Sequence, residues 1–211
     1  MIIQDWGTIE FNEAWRRQRE LVDAILRSDQ PDTLVLCEHP SVITLGRTTQ
    51  QGSVVVDSDV LKLQHVEVVE INRGGEATVH NPGQLVGYPI FNLTRTKPDL
   101  HWFLRTIEQC IIDVLHEYEV VGGRVDGLTG VWIDGTRKIC AIGIHCSRWI
   151  TSHGFALNVN NDLGLFDAII PCGIRDKGVT SLEAETGRVI EMRELRTKIV
   201  DAFRKNFGEA M

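Results

Sequence analysis

Val66-Glu67-Val68-Val69-Glu70-Ile71 leads through Asn72 into Arg73-Gly74-Gly75-Glu76-Ala77-Thr78-Val79-His80-Asn81-Pro82-Gly83-Gln84, and Leu85 to Ile90 is apolar again. The flanking runs read as buried strands. Between them stand a cation, paired glycines, a hydroxyl, an imidazole and a Pro-Gly turn. Paired glycines let a backbone approach something that a Cβ would hold off. Arg73 and His80 place polar chemistry at the two ends of the gap. A connector of this make-up between strands is a candidate binding loop, and the same residues also suit a plain tight turn.

Working outward, residues 2–6 read as a strand. Phe11, Ala14, Trp15, Leu21, Val22, Ile25 and Leu26 fall at helical spacing, closed by Pro31. Thr33–Cys37 and Val42–Leu45 are strand-like, residues 57–64 form a weak helix, and 92–98 read as a linker. The clearest helix spans Asp99 to about Tyr118, with Phe103, Ile107, Ile111 and Val114 along one face and Cys110 in the core. Gly122-Gly123 ends it. A hairpin follows, Gly130–Ile133 and Lys138–Ile144 around Asp134-Gly135-Thr136-Arg137, with Lys138 opening the return strand. Thr151–Val159 is another strand, and a last amphipathic helix runs from Glu191 to about Phe207. Strands with three substantial helices and hairpins give an α/β chain of the α+β type, a mostly antiparallel mixed sheet flanked by helices. With no repeat and no linker of biased composition, residues 1–211 are expected to form one domain.

The 211 residues carry a net charge of −7, which argues against general affinity for nucleic acid or anionic membrane. No run approaches a membrane span, and the N-terminus lacks a signal-peptide layout. Five cysteines (Cys37, Cys110, Cys140, Cys146, Cys172) make an odd set without CxxC spacing, which fits reduced thiols in a cytoplasm and leaves room for one reactive thiol. Cys172 stands between Pro171 and Gly173 at the end of an apolar run, on a bend, which makes it the best candidate for that thiol.

No GxGxxG opens a helix, no Walker lysine follows the glycines, and no GxSxG elbow occurs. The histidines and cysteines show no zinc-ligand spacing, so no metal site is expected; His39, before a proline, reads as a loop residue. A cysteine on a bend, a hairpin lysine and an Arg-Gly-Gly…His loop suit acyl transfer through a thioester. A thiolate attacks an acyl carbonyl, a nearby ammonium or imidazole favours that thiolate, and glycine N–H groups hold the oxyanion.

Five segments occur in one order: Glu38-His39-Pro40…Gly46-Arg47; Arg73-Gly74-Gly75…Thr78-x-His80-x-Pro82-Gly83-Gln84-Leu85-Val86-x-Tyr88-Pro89; Gly130-Val131-Trp132-Ile133…Lys138-Ile139; His153-Gly154-Phe155-Ala156-Leu157-Asn158-Val159; and Ile170-Pro171-Cys172-Gly173. Together they resemble the lipoyl(octanoyl) transferases, over roughly residues 37 to 182. The resemblance implies a biotin/lipoyl protein ligase-like catalytic domain. It makes Cys172 the nucleophile that carries the acyl group and Lys138 the lysine that favours its thiolate. It makes Arg73, Gly74, Gly75, Glu76, Ala77, Thr78, Val79 and His80 the loop lining the acyl pocket. Ala141, Ile142 and Gly143, with Gly154, Phe155 and Ala156, become its other walls. His80 either polarises a carbonyl or acts as a structural hydrogen-bonder.

The implied donor is octanoyl-acyl carrier protein. The implied acceptors are the lipoyl domains of 2-oxoacid dehydrogenase E2 subunits and the glycine cleavage H protein, and the implied enzyme is a cytoplasmic monomer without cofactor. Because the carrier is acidic, a local basic face is needed, with Arg47, Arg148, Arg175 and Lys177 as candidates. Two departures, Cys140 and Phe155, stand where smaller or aliphatic residues are usual and are expected to trim the pocket. The rival readings are an ATP-dependent lipoate or biotin-type ligase on the same fold and a non-catalytic carrier- or lipoyl-domain binding module.

Overall fold

The computed structural model describes residues 1–170 and 177–208; Pro171, Cys172, Gly173 and Arg175 lie outside the described residues. In chain order the elements are β1 (Ile2–Thr8), α1 (Phe11–Leu26), β2 (Thr33–Glu38), β3 (Val42–Leu45), α2 (Ser58–Leu63), β4 (Glu67–Glu70), β5 (Ala77–His80) and β6 (Gln84–Ile90). They continue as α3 (Leu100–Glu117), β7 (Gly122–Val125), β8 (Leu128–Ile133), β9 (Arg137–Ser147), β10 (Ile150–Asn158), β11 (Gly178–Val179), α4 (Leu182–Thr186) and α5 (Met192–Phe207).

All seven residues of β6 are buried, because the strand is covered on both faces. Alternation then sends neighbours to opposite cores. Leu34 and Leu36 of β2, with Leu85 of β6, join the core under α3 and α5, while Val35, Cys37, Val86, Tyr88 and Ile90 join the core under α1. Among the described residues the large sheet runs β1-β2-β6-β10-β9-β8-β7, with β11 alongside β9. Its pairs are antiparallel except β1 with β2 and β11 with β9.

The α1 stripe buries Phe11, Ala14, Leu21 and Ile25. Each fully covered large apolar side chain contributes about 1.5–3 kcal/mol. Asp99 accepts from Trp102 N at 2.9 Å and fixes where α3 begins. On the same side of the sheet, α5 stacks Phe203 on Phe155 at 5.8 Å and Phe207 on Phe203 at 5.3 Å. Arg196 of α5 bonds Asp5 of β1 and Glu38 of β2.

A smaller sheet, β4-β3-β5, carries its own core of Ile43, Leu61, Val66, Val79 and Phe166. Five elements depart from the sequence expectation. β4, expected to be a buried strand, is mostly exposed. The second half of the Arg73–Gln84 connector is strand β5, paired antiparallel to β3. Gly122-Gly123, expected to end α3, instead begins β7; the helix has already stopped at Glu117, where Glu119 turns at φ 61° and Val120 N bonds Leu115 O. Neither β11 nor α4 was expected; α4 is capped by Ser181, whose Oγ accepts from Ala184 N, and closed by Gly187 at φ 70°.

Candidate functional site

A cavity of about 300 Å³ opens between the two sheets, with mainly apolar walls. One wall is the connector: Arg73, Gly75, Glu76, Ala77, Thr78 and His80 line it. The facing wall is β9 and β10, through Lys138, Ala141, Ile142, Gly143, Gly154, Phe155 and Ala156. Two residues of the expected set stand apart from the lining. Val79 is buried in the small-sheet core, and Gly74 donates its N–H to Ile144 O at 2.9 Å, so that N–H is not available to an oxyanion.

Glycines set how closely these walls approach. A Cβ on Gly46 would lie 2.2 Å from Gly75 O, and one on Gly143 would lie 2.8 Å from Gly74 O. The connector is thereby pressed between β3's end and β9, where Arg47 N also bonds Arg73 O. A Cβ on Gly87 would sit 2.2 Å from the Phe155 ring, so this ring occupies the space above Gly87 and forms part of the cavity wall. Cys140, in contrast, is fully buried in the core beneath α3 and does not line the cavity, which removes its expected trimming role.

Arg73 is buried, with Nη2 donating to Thr44 O at 2.8 Å and to Thr44 Oγ1 at 2.9 Å. Three histidines lie around the same space. His39, just past the end of β2, is a loop residue as expected, and it is buried. Its Nδ1 meets Ile9 O at 2.6 Å and must carry the proton, so Nε2 accepts the Tyr88 hydroxyl at 2.6 Å. His80 Nδ1 meets Gln84 Oε1 at 2.8 Å, and the Gln84 amide nitrogen is committed to Val79 O and Asn158 Oδ1. His80 therefore donates from Nδ1 and keeps the lone pair on Nε2. Phe11 stacks on His80 at 5.8 Å and meets His39 edge-on at 5.4 Å. His153, at φ 58°, sets its Nε2 2.8 Å from Asn72 Oδ1.

Burial holds all three imidazoles neutral at physiological pH: His39 falls to about 4, His80 to about 3 with His39 adding to the effect, and His153 to about 3 with Arg73 adding to it. Burial also pushes the Tyr88 hydroxyl well above its ordinary value. The polar lining is therefore rich in hydrogen-bonding groups yet, apart from Arg73, Glu76 and Lys138, uncharged.

Lys138 is a wall residue and not merely an exposed strand end. Its Nζ lies 4.7 Å from the Trp132 ring centroid, and the Lys177 ammonium lies 5.1 Å from the same ring. Asn158 ties the walls together: Oδ1 accepts from Gln84 and Asn161, and Nδ2 donates to Thr180 O at 3.0 Å, while Thr180 N bonds Lys138 O. Of the basic candidates, Arg47 and Arg148 are exposed, Lys177 bonds Gly135 O, and Arg175 is outside the described residues. Sequence reasoning missed Phe11, Ile71 and the Gly127–Thr129 hairpin tip as lining. Gln84, Tyr88, His153 and Asn158 stood inside the quoted motifs without being assigned a place.

The sequence profile of the lipoyl protein ligase A/B catalytic domain matches residues 10–204. An octanoyltransferase of Rubrobacter xylanophilus is 48% identical over 205 residues, covering 96% of this chain and 91% of its own. The bi-partite lipoate protein ligase of Thermoplasma acidophilum superposes with a TM-score of 0.72 at 19% identity, covering 97% of this chain and 82% of the other. A biotin protein ligase of Aquifex aeolicus does so at 0.55 and 14%, covering 97% and 68%; these two likenesses speak for the fold alone. The chain belongs to the lipoyl protein ligase A/B catalytic domain family.

Proposed function

We propose that this protein is an octanoyltransferase, a single catalytic domain over residues 1–211 that moves an octanoyl group onto a lysine of a lipoyl domain. The observation that carries the reading is a mainly apolar cavity with one lysine, Lys138, in its wall, in a chain 48% identical to an octanoyltransferase. Burying the alkyl part of an octanoyl chain is worth up to about 5–6 kcal/mol, at roughly 0.8 kcal/mol for each buried carbon.

In this reading the Cys172 thiol gives its proton to Lys138, and the thiolate attacks the thioester carbonyl of octanoyl-acyl carrier protein. The carrier's thiolate leaves and takes the proton from the Lys138 ammonium, which returns Lys138 to the neutral amine and leaves the octanoyl group on Cys172. The ε-amine of the acceptor lysine then attacks the acyl-enzyme, its excess proton passes to Lys138, and the cysteine thiolate departs as the amide forms. Amide formation from a thioester runs downhill, so no ATP enters. The acceptors of this reading are the lipoyl domains of 2-oxoacid dehydrogenases and the glycine cleavage H protein, and its setting is the cytoplasm. Among the described residues no helix is long and apolar enough to cross a membrane.

Intact-mass spectrometry after incubation with octanoyl-acyl carrier protein tests the reading. The expected product is a hydroxylamine-labile octanoyl adduct on Cys172 that passes to an added lipoyl domain and is absent from Cys172→Ser. Loading that requires free octanoate and ATP would overturn it in favour of the ligase reading.

A further inference from the structure

β9 runs in regular register with β10 from Ser147 to Cys140 and then changes neighbour, so that Arg137 and Lys138 pair with β11 instead. On its other edge the register with β8 slips at the same place: Val131 faces Cys140, but Trp132 faces Lys138. Ile139 is the extra residue of a β-bulge. In an unbroken strand, residues three apart point to opposite faces. Lys138 and Ala141 nevertheless both line the cavity, while the consecutive Ile139 and Cys140 are both fully buried in the core under α3. The bulge is what turns Lys138 toward the cavity.

A bulge disturbs the ladder, and an N–H left beside it needs another partner. Gly130, next to Val131, donates its N–H to Glu108 Oε1 at 3.0 Å. Its φ is +116°, and a Cβ there would lie 2.5 Å from Cys140 O and 3.7 Å from Lys138 Cδ. Glu108 lies on α3 and is fully buried. Its Oε2 accepts from Arg105 Nη1 at 2.7 Å and from Arg124 Nε at 2.9 Å, and Arg124 belongs to β7. One carboxylate thus joins α3, β7 and the β8 residue that rests on the bulge. Removing a carboxylate from water costs several kcal/mol, and an apolar side chain would serve the packing of α3 without that cost.

We propose that Glu108 is a positioning residue for Lys138, acting through Gly130 and the β9 bulge; this rests on the reading of Lys138 as the proton carrier. The test compares full-length wild type with Glu108→Gln, Gly130→Ala and Lys138→Ala, well below their melting temperatures. It measures kcat and KM for octanoyl-acyl carrier protein, the pH–rate profile, and the acetylation rate of Lys138 relative to exposed Lys62 and Lys205 by peptide mass spectrometry. Glu108→Gln and Gly130→Ala, which disturb the bulge from opposite sides, are expected to lower kcat about 10–100-fold with KM little changed. Both are expected to move the acidic limb of the pH profile and to alter Lys138 labelling. Should either variant fail to fold, the other carries the test, with Arg124→Gln beside it. Variants that melt earlier but keep kcat, pH profile and labelling would overturn the inference. Undiminished transfer by Lys138→Ala would instead overturn the underlying reading of the lysine.

Discussion

Acidification between pH 7.5 and 5.0 tests the neutral histidine cluster directly. His39, His80 and His153 sit at about 4, 3 and 3 when folded, against an unfolded value of 6.5. These folded values are depressed, so the unfolded chain binds protons that the native state refuses. Stability is then complete above pH 6.5 and is lost as pH falls from there toward the folded values. At pH 5.0 each unfolded imidazole gains about 2 kcal/mol from protonation while its folded counterpart gains almost nothing, so three together remove about 6 kcal/mol. That is comparable to the whole stability of many domains, about 5–15 kcal/mol. Asp32 acts in the opposite direction, since burial raises its carboxyl in the folded state, but it is a single group. With a urea slope of about 3 kcal/mol/M, the unfolding midpoint followed by tryptophan fluorescence should drop by about 2 M between the two pH values. His153→Asn, chosen because asparagine tolerates the left-handed backbone, should remove about a third of that pH dependence. A midpoint that stays constant, or rises, on acidification would refute the assignment of three buried neutral imidazoles.

Gly154→Ala would set a Cβ 2.1 Å from Gly87 O and 2.6 Å from Pro89 Cδ. The expected cost is about 1–3 kcal/mol or more, read by calorimetry as a fall of about 2–4 °C per kcal/mol. Tyr88→Phe removes the 2.6 Å donor to His39 Nε2 and should destabilise by about 1–3 kcal/mol in urea titrations without altering the sheet's circular dichroism. Phe155→Leu opens the wall over Gly87, and competition between octanoyl and decanoyl donors should shift toward the longer chain, each extra buried methylene being worth about 0.8 kcal/mol. Equal discrimination in both proteins would remove Phe155 from the role of wall.

The elements that follow one periodicity for long enough were legible in the chain. α1 begins and ends where its apolar stripe does, and α3 begins at its Asp99 cap. β2 reads as a continuous apolar run because both of its faces are covered. β5 was hidden because Ala77-Thr78-Val79-His80 is short and partly polar, and its partner β3 lies far away in sequence. Glycines at 122 and 123 read as a helix stop, yet α3 ends at Glu117 and the pair starts β7, a role that helical periodicity does not report. The motifs named most of the cavity wall, yet no local pattern shows that Phe11 from the first turn of α1 reaches His80, or that a bulge turns Lys138 inward. Those facts are products of register and packing between distant segments.

The aromatic stack of α5 has a consequence for biosynthesis. Phe155 forms cavity wall and also packs on Phe203, and α5 follows every strand among the described residues. A ribosome-bound polypeptide halted before Met192 would have every described strand but would lack the Phe203 that stacks on that ring. Such a stalled chain should be readily cut by protease and unable to retain a fatty ligand, whereas extension through Phe207 should confer both properties together. Translation itself then determines when the molecule first becomes competent to grip a lipid.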